Sequence, residues 1–413
     1  MTRSKRLTAG STATTTERWR KEGEVLKRIE RMKRLLLGIF GAGLFLTGCA
    51  SGTTGKDPVT GSETGMKTNT ETKKVTGAAT TPGGQANRED LFNSYRYKNP
   101  WKTGIEVTGA DGKTITLREV TINLGGDGDP IEIYQLTDLH FNAIYDDEDA
   151  MTKRSATEWG HAFPDNETIL ATYQRCMNYA AEHADRIVLT GDLVNYYSRA
   201  NYDVLEQYIF RAAETVNPAL AGKVLMTSGN HDCTFPGAKS DLARYERYHK
   251  TMEALYAKYG VDLEYTSQVI DERVMLVVLD NASWYDVRSA RFTANQLEKL
   301  KRDITLAREK GYVMLLFGHV PLPTKNSAGH SFYIDYDANA YTDPTSKSVY
   351  DLITNSADVI KGYFTGHNHG DEYLEIVAKT PEGKPAFIPQ YVLRDMNREK
   401  AGGTGEMTRI ILK

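Results

Sequence analysis

From residue 114 onward, short apolar runs alternate with longer stretches whose apolar positions recur at helical spacing. The runs at 131–137 (IEIYQLT), 186–190 (RIVLT), 223–227 (KVLMT), 273–280 (RVMLVVLD), 312–317 (YVMLLF) and 358–364 (DVIKGYF) predict strands. The stretches 166–184, 201–216, 242–259, 293–310 and 345–355 predict helices. Asn166 is the expected cap of the first helix, although Ile169 three residues later cannot complete a reciprocal capping pair. Alternating segments at 114–123, 372–379, 385–392 and 406–412 predict added β-structure at both ends. Strands alternating with helices predict α/β layers around buried sheets, and no internal repeat is visible.

Before residue 95 the pattern is different. Met32, Lys33 and Arg34 are followed by 12 mainly apolar residues, Leu35 to Leu46, and then by Thr47, Gly48 and Cys49. Twelve helical residues reach ~18 Å, short of a ~30 Å hydrocarbon core, so this is a signal-peptide core and not a membrane span. LTGC resembles a bacterial lipobox, which implies cleavage before Cys49 and a lipid on that cysteine. The Thr-, Gly- and Ser-rich stretch that follows cannot bury enough apolar surface to fold. The expected organisation is therefore a non-native extension at 1–31, a lipoprotein signal peptide at 32–48, a flexible tether at 49–94 and a folded domain at 95–413. The protein is expected outside the cytoplasm, held on the bacterial membrane by its lipid, at the cell surface or in the periplasm.

Charge narrows the partners. The first 34 residues hold 11 basic and 4 acidic residues, which leaves 40 against 50 in the remainder. A body this acidic does not suit nucleic acid, whose binding rests on neutralising phosphates. The three cysteines, Cys49, Cys176 and Cys233, define no disulfide framework.

The chemistry lies at the strand ends. Strand 131–137 runs into DLH (Asp138, His140), 186–190 into GDLVN (Asp192, Asn195) and 223–227 into GNHD (Asn230, His231, Asp232). Strand 312–317 runs into GHVP (His319) and 358–364 into GHNH (His367, His369). Each cluster alone reads as an ordinary turn. Together they hold five of the nine histidines, at the carboxyl ends of strands, where α/β sheets gather ligands. Carboxylate, imidazole and amide oxygen without thiolate form a donor set for Mn, Fe or Zn.

The ordered series DLH, GDLVN, GNHD, GH and GHNH resembles the signature of the calcineurin-like metallophosphoesterases across residues 138–369. The resemblance implies a four-layer α/β/β/α sandwich, two divalent ions (Mn, Fe or Zn) and hydrolysis of a small phosphate ester by a phosphodiesterase or phosphatase. Asp138, His140, Asp192 and His369 would hold one ion, with Asp192 bridging to a second held by Asn230, His319 and His367. A hydroxide between the ions would attack phosphorus. His231 would stabilise charge on the phosphate or protonate the leaving oxygen, with Asp232 orienting it. Purple acid phosphatases carry Tyr where Asn195 stands, which argues against that branch and leaves Asn195 as a substrate-side residue. Loops 141–165, with its acidic DDED run, and 320–346, with His330, Phe332, Tyr333, Tyr336 and Tyr341, are expected to shape the pocket. The alternative is a catalytically silent, lipid-anchored binding protein of the same fold, which the filled ligand positions disfavour.

Overall fold

The computed structural model describes residues 101–413 apart from 126–127, 161–163, 236–240, 283–290, 323, 325–342 and 398–403. The expected signal peptide, the expected tether, Cys49 and the aromatic residues expected between 330 and 341 lie outside the described residues. No helix among the described residues is long and apolar enough to cross a membrane.

Twelve strands form two six-stranded sheets among these residues. The first runs β1 (Trp101–Thr108), β2 (Thr114–Ile122), β12 (Gly405–Leu412), β3 (Ile131–Leu136), β4 (Arg186–Thr190), β5 (Val224–Thr227). The second runs β10 (Glu372–Lys379), β11 (Pro385–Val392), β9 (Ile360–Thr365), β8 (Val313–Phe317), β7 (Val274–Leu279), β6 (Tyr265–Ile270). Strands β3, β4 and β5 are parallel, as are β7, β8 and β9. β12 lies between β2 and β3, parallel to the first and antiparallel to the second.

The period of two along each central strand assigns its side chains to two different cores. On β8, Met314 and Leu316 join an outer cluster while Leu315 and Phe317 turn inward. On β3, Tyr134 and Leu136 face outward, and Ile131 and Ile133 inward. The inner cluster thus draws Ile133, Val188 and Ile410 from one sheet and Leu276, Leu315 and Phe364 from the other. Buried on both faces, β7 and β8 read as unbroken apolar runs. Helices cover the outer faces. Those over the first sheet include α2 (Asn166–His183), α3 (Arg199–Leu205) and α5 (Leu242–Lys258), which contribute Tyr173, Leu205 and Met252. Helices α6 (Ala294–Lys310) and α7 (Pro344–Thr354) contribute Ile304 and Val349 over the second. The order helix, sheet, sheet, helix is the expected four-layer sandwich.

Three local expectations change. The cap of α2 is Asp165, whose side chain accepts from Thr168 N, and not Asn166 one residue later. The single helix expected at 201–216 is instead α3, a π-helical turn at Glu206–Phe210 and the short α4 (Ala212–Thr215). Residues 150–160, unassigned from sequence, form helix α1 (Ala150–Gly160).

Candidate metal centre

The carboxyl ends of β3, β4, β5, β8 and β9 deliver all seven expected ligands to one place. His140 Nε2 and His369 Nε2 are 3.1 Å apart, and His369 Nε2 lies 3.2 Å from Asp138 Oδ1. His140 Nε2 is 3.7 Å from Asp192 Oδ2, while the other Asp192 oxygen, Oδ1, is 3.3 Å from His319 Nε2. His319 Nε2 is 3.0 Å from Asn230 Oδ1, and the His319 and His367 rings are 5.1 Å apart. Two groups result, Asp138/His140/Asp192/His369 and Asp192/His319/His367, each with its ligand atoms within 4.8 Å of one another. Asp192 is common to both and offers a different oxygen to each.

The backbone is bent to achieve this. Among the described non-glycine residues, positive φ occurs at Asp138, His140, Asp192, His367 and His369, and at the turn residues Asp271 and Glu272. Left-handed backbone costs a residue with a Cβ about 1–2 kcal/mol and persists only where surrounding contacts enforce it. Here Asp138 N donates to Gly191 O (3.0 Å), His140 N to Asp192 O (2.9 Å) and His367 N to Asp138 Oδ2 (3.0 Å). Two glycines are dictated by the crowding. Gly191 has φ +87°, and a Cβ there would lie 2.7 Å from Ser228 O. A Cβ on Gly366 would stand 1.9 Å from Thr137 Oγ1.

Burial and charge compete across the cluster. Burial alone would raise the carboxyls of Asp138 and Asp192, but the histidines around them, His369 for the first and His319 for the second, hold both below the usual range. Burial pushes His140 and His367 down to about 4. It opposes protonation of His319 and His369 too, yet Asp192 and Asp138 respectively outweigh it and lift both to about 9. His319 Nδ1–H donates to Thr190 O at 2.8 Å, so Nε2 is the atom turned to the cluster.

The residues fit a pair of divalent cations. The set is oxygen and nitrogen without sulfur. Two imidazole Nε2 atoms face each other beside a carboxylate, and the buried Asp192 Oδ2 has no hydrogen-bond partner. A buried carboxylate oxygen left unsatisfied among converging ring nitrogens is what a cation satisfies.

His231 stands next to the cluster, its ring 5.0 Å from that of His140. Its Nδ1–H donates to Asn195 O at 2.8 Å. The orienting role expected of Asp232 takes a different form. Its two carboxylate oxygens accept from Val194 N (2.8 Å) and Gly229 N (2.6 Å), so it ties the GNHD loop to the GDLVN loop. Asn195 is fully buried, and neither atom of its side-chain amide has a hydrogen-bond partner. The loop expected to flank the site is anchored by backbone contacts: Ala143 N donates to Asn201 Oδ1 (2.7 Å) and Ala143 O accepts from Ser198 Oγ (2.9 Å).

Sequence reasoning missed Asp395. Burial raises its carboxyl above the ordinary range, with His369 opposing the shift and Asp138 adding to it. The signal was present, because Asp395 follows strand β11, which runs parallel to β9 and ends at the same edge.

Residues 131–371 match the family model described as calcineurin-like phosphoesterase. Among solved structures, the chain is similar to a dimetal phosphatase from Danio rerio, at 15% identity and a TM-score of 0.35, over 65% of this chain and 88% of that one. It is also similar to a putative 5′-nucleotidase from Staphylococcus aureus in complex with alpha-ketoglutarate, at 11% identity and a TM-score of 0.33, over 64% and 54% of the two chains. No curated protein matches it.

Proposed function

The chain belongs to the calcineurin-like phosphoesterase family, and from that premise we propose that it is a two-metal hydrolase of small phosphate esters. The observation that carries the reading is the pair of ligand groups that share Asp192. Asp138, His140, Asp192 and His369 would hold one divalent ion, and Asp192, Asn230, His319 and His367 the other. Such a pair, when bound, acts as a Lewis acid towards the phosphoryl oxygens and lowers the pKa of coordinated water.

The chain's own residues supply the rest. Neutral histidine and asparagine ligands limit the negative charge to Asp138 and Asp192, which keeps the site attractive to an anionic ester. With Nδ1–H bonded to the Asn195 carbonyl, His231 presents Nε2 as the atom that stabilises charge or delivers a proton to the leaving oxygen. Asp232 keeps His231 in place through the backbone it holds. The unpartnered amide of Asn195 is the substrate-side group of this reading. We further propose that the mature protein is anchored outside the cytoplasm by a lipid on Cys49, a reading that rests on MKRLLLGIFGAGLFLTGC.

The test is hydrolysis of p-nitrophenyl phosphate and bis(p-nitrophenyl) phosphate by the purified protein loaded with Mn, Fe or Zn. Turnover of one ester over the other assigns monoesterase or diesterase. Silence on both with every metal would favour a binding protein. For the anchor, Cys49→Ala should abolish incorporation of labelled fatty acid, and unchanged labelling would refute it.

A further inference from the structure

The GHNH loop is fastened by groups outside the family-matched residues. Asp371, two residues beyond His369, accepts from Arg118 Nη2 at 2.7 Å and pairs with Arg118 Nε as well. Arg394 Nε lies 3.1 Å from Asp371 Oδ2, and Arg394 N donates to Asp371 Oδ1 at 3.4 Å. Arg118 belongs to β2, is almost fully buried, and also pairs with Glu406 on β12. The Arg118 guanidinium thus hydrogen-bonds the carboxylate and that of Arg394 stands against it as an ion pair, from segments that precede residue 131 and follow residue 371.

The segment 393–397 adds a strap. Leu393 N donates to Thr365 O (2.9 Å), Met396 N to Thr137 O (3.2 Å) and Asn397 Nδ2 to Leu139 O (3.4 Å). It crosses the ends of β9 and β3, the strands that carry His367/His369 and Asp138/His140. The loop needs such support. His369 has φ +53° and a side chain 34% exposed, against 0% for Asp138 and His140, so less packing restrains it. A left-handed residue with little packing keeps its place only when the chain on either side is pinned. Gly366 N, donating to His319 O at 3.0 Å, pins one side, and Asp371 pins the other.

We propose that Asp371, clamped by Arg118 and Arg394, is a positioning residue that sets the cation affinity of the Asp138/His140/Asp192/His369 group. The proposal rests on the two-metal reading above. It makes the metal centre dependent on β2, β12 and the 393–397 strap.

The test is calorimetric titration of the metal-stripped full chain with Mn²⁺. Wild type should take up two ions. Asp371→Asn should weaken one binding step about tenfold or more and leave the other within about twofold. The weakened step should be the one lost in His369→Ala and retained in His319→Ala. Arg394→Met should act in the same direction, Asp371→Glu should recover part of the affinity, and saturating Mn²⁺ should restore kcat in Asp371→Asn. Wild-type affinity at both steps in Asp371→Asn and Arg394→Met would overturn the clamp, as would equal weakening of both steps in variants with native near-ultraviolet circular dichroism. If Asp371→Asn does not fold, Arg394→Met decides alone. Failure of wild type to bind Mn²⁺ would overturn the metal centre itself, and it shows before any variant is compared.

Discussion

Asp192 is the residue on which the two ligand groups depend together, because Oδ2 faces one and Oδ1 the other. Asp192→Asn removes its negative charge from both groups. We expect the metal content to fall below two ions per chain and kcat to fall by about 10³-fold or more, measured by elemental analysis and steady-state hydrolysis. A near-wild-type rate would sink the assignment. His231 differs, since it lies beside the groups without belonging to either. His231→Ala should keep both ions and slow turnover by about 10²–10⁴-fold, most for esters with poor leaving groups. Loss of metal in that variant would count against its role. The candidate ligands were legible because each follows a recognisable strand within a short polar motif, Gly-bearing in four of the five loops. Side-chain partners were not, since Asp232 meets the backbone of Val194 and Asp371 meets Arg118, both far off in the chain, and such pairings leave no mark in local spacing.

Elements were legible in proportion to their apolar content. The fully buried β7 was evident, but β6, with a buried residue only at each end and in a sequence, YTSQVI, of mixed polarity, was not. The π-helical turn at Glu206–Phe210 was also invisible, because a single extra residue in a turn barely disturbs helical periodicity. At this scale the pair joining α6 to Asp358, two residues before β9, is open to test. Arg308 Nε donates to Asp358 Oδ2 (2.7 Å) and Nη2 to Oδ1 (3.0 Å). The hydrogen bond from Arg308 outweighs burial and holds the Asp358 carboxyl below its ordinary range. A depressed carboxylate stabilises the fold above its unfolded pKa of about 4, and that contribution disappears as pH falls through the lower folded value. Both side chains are partly exposed, so Arg308→Met should cost about 1 kcal/mol or less at pH 7. The difference from wild type should shrink in urea titrations at increasingly acid pH, and a constant gap would contradict the mechanism.

At the scale of the whole molecule, the layering followed from alternation of strands and helices, but the membership of each sheet did not. Nothing in residues 405–412 says that β12 returns to lie between β2 and β3, because pairing partners distant in sequence are chosen by packing. The candidate metal centre spans the two sheets, drawing Asp138, His140, Asp192 and Asn230 from loops of one and His319, His367 and His369 from loops of the other. Binding that requires both sheets stabilises the assembled form, and a cation at about 100 times its dissociation constant adds ~2.7 kcal/mol. Chelation should therefore lower the melting temperature, reversibly on adding Mn²⁺; an unchanged melt would argue that no ion is held. The position of β12 also bears on how the protein is made. A ribosome delivers β2 and β3 long before Gly405–Leu412, so the nascent first sheet waits with two facing strand edges unpaired. A chain stopped at Thr404 should be degraded quickly in a pulse-chase with protease, at a cost far beyond the few residues removed.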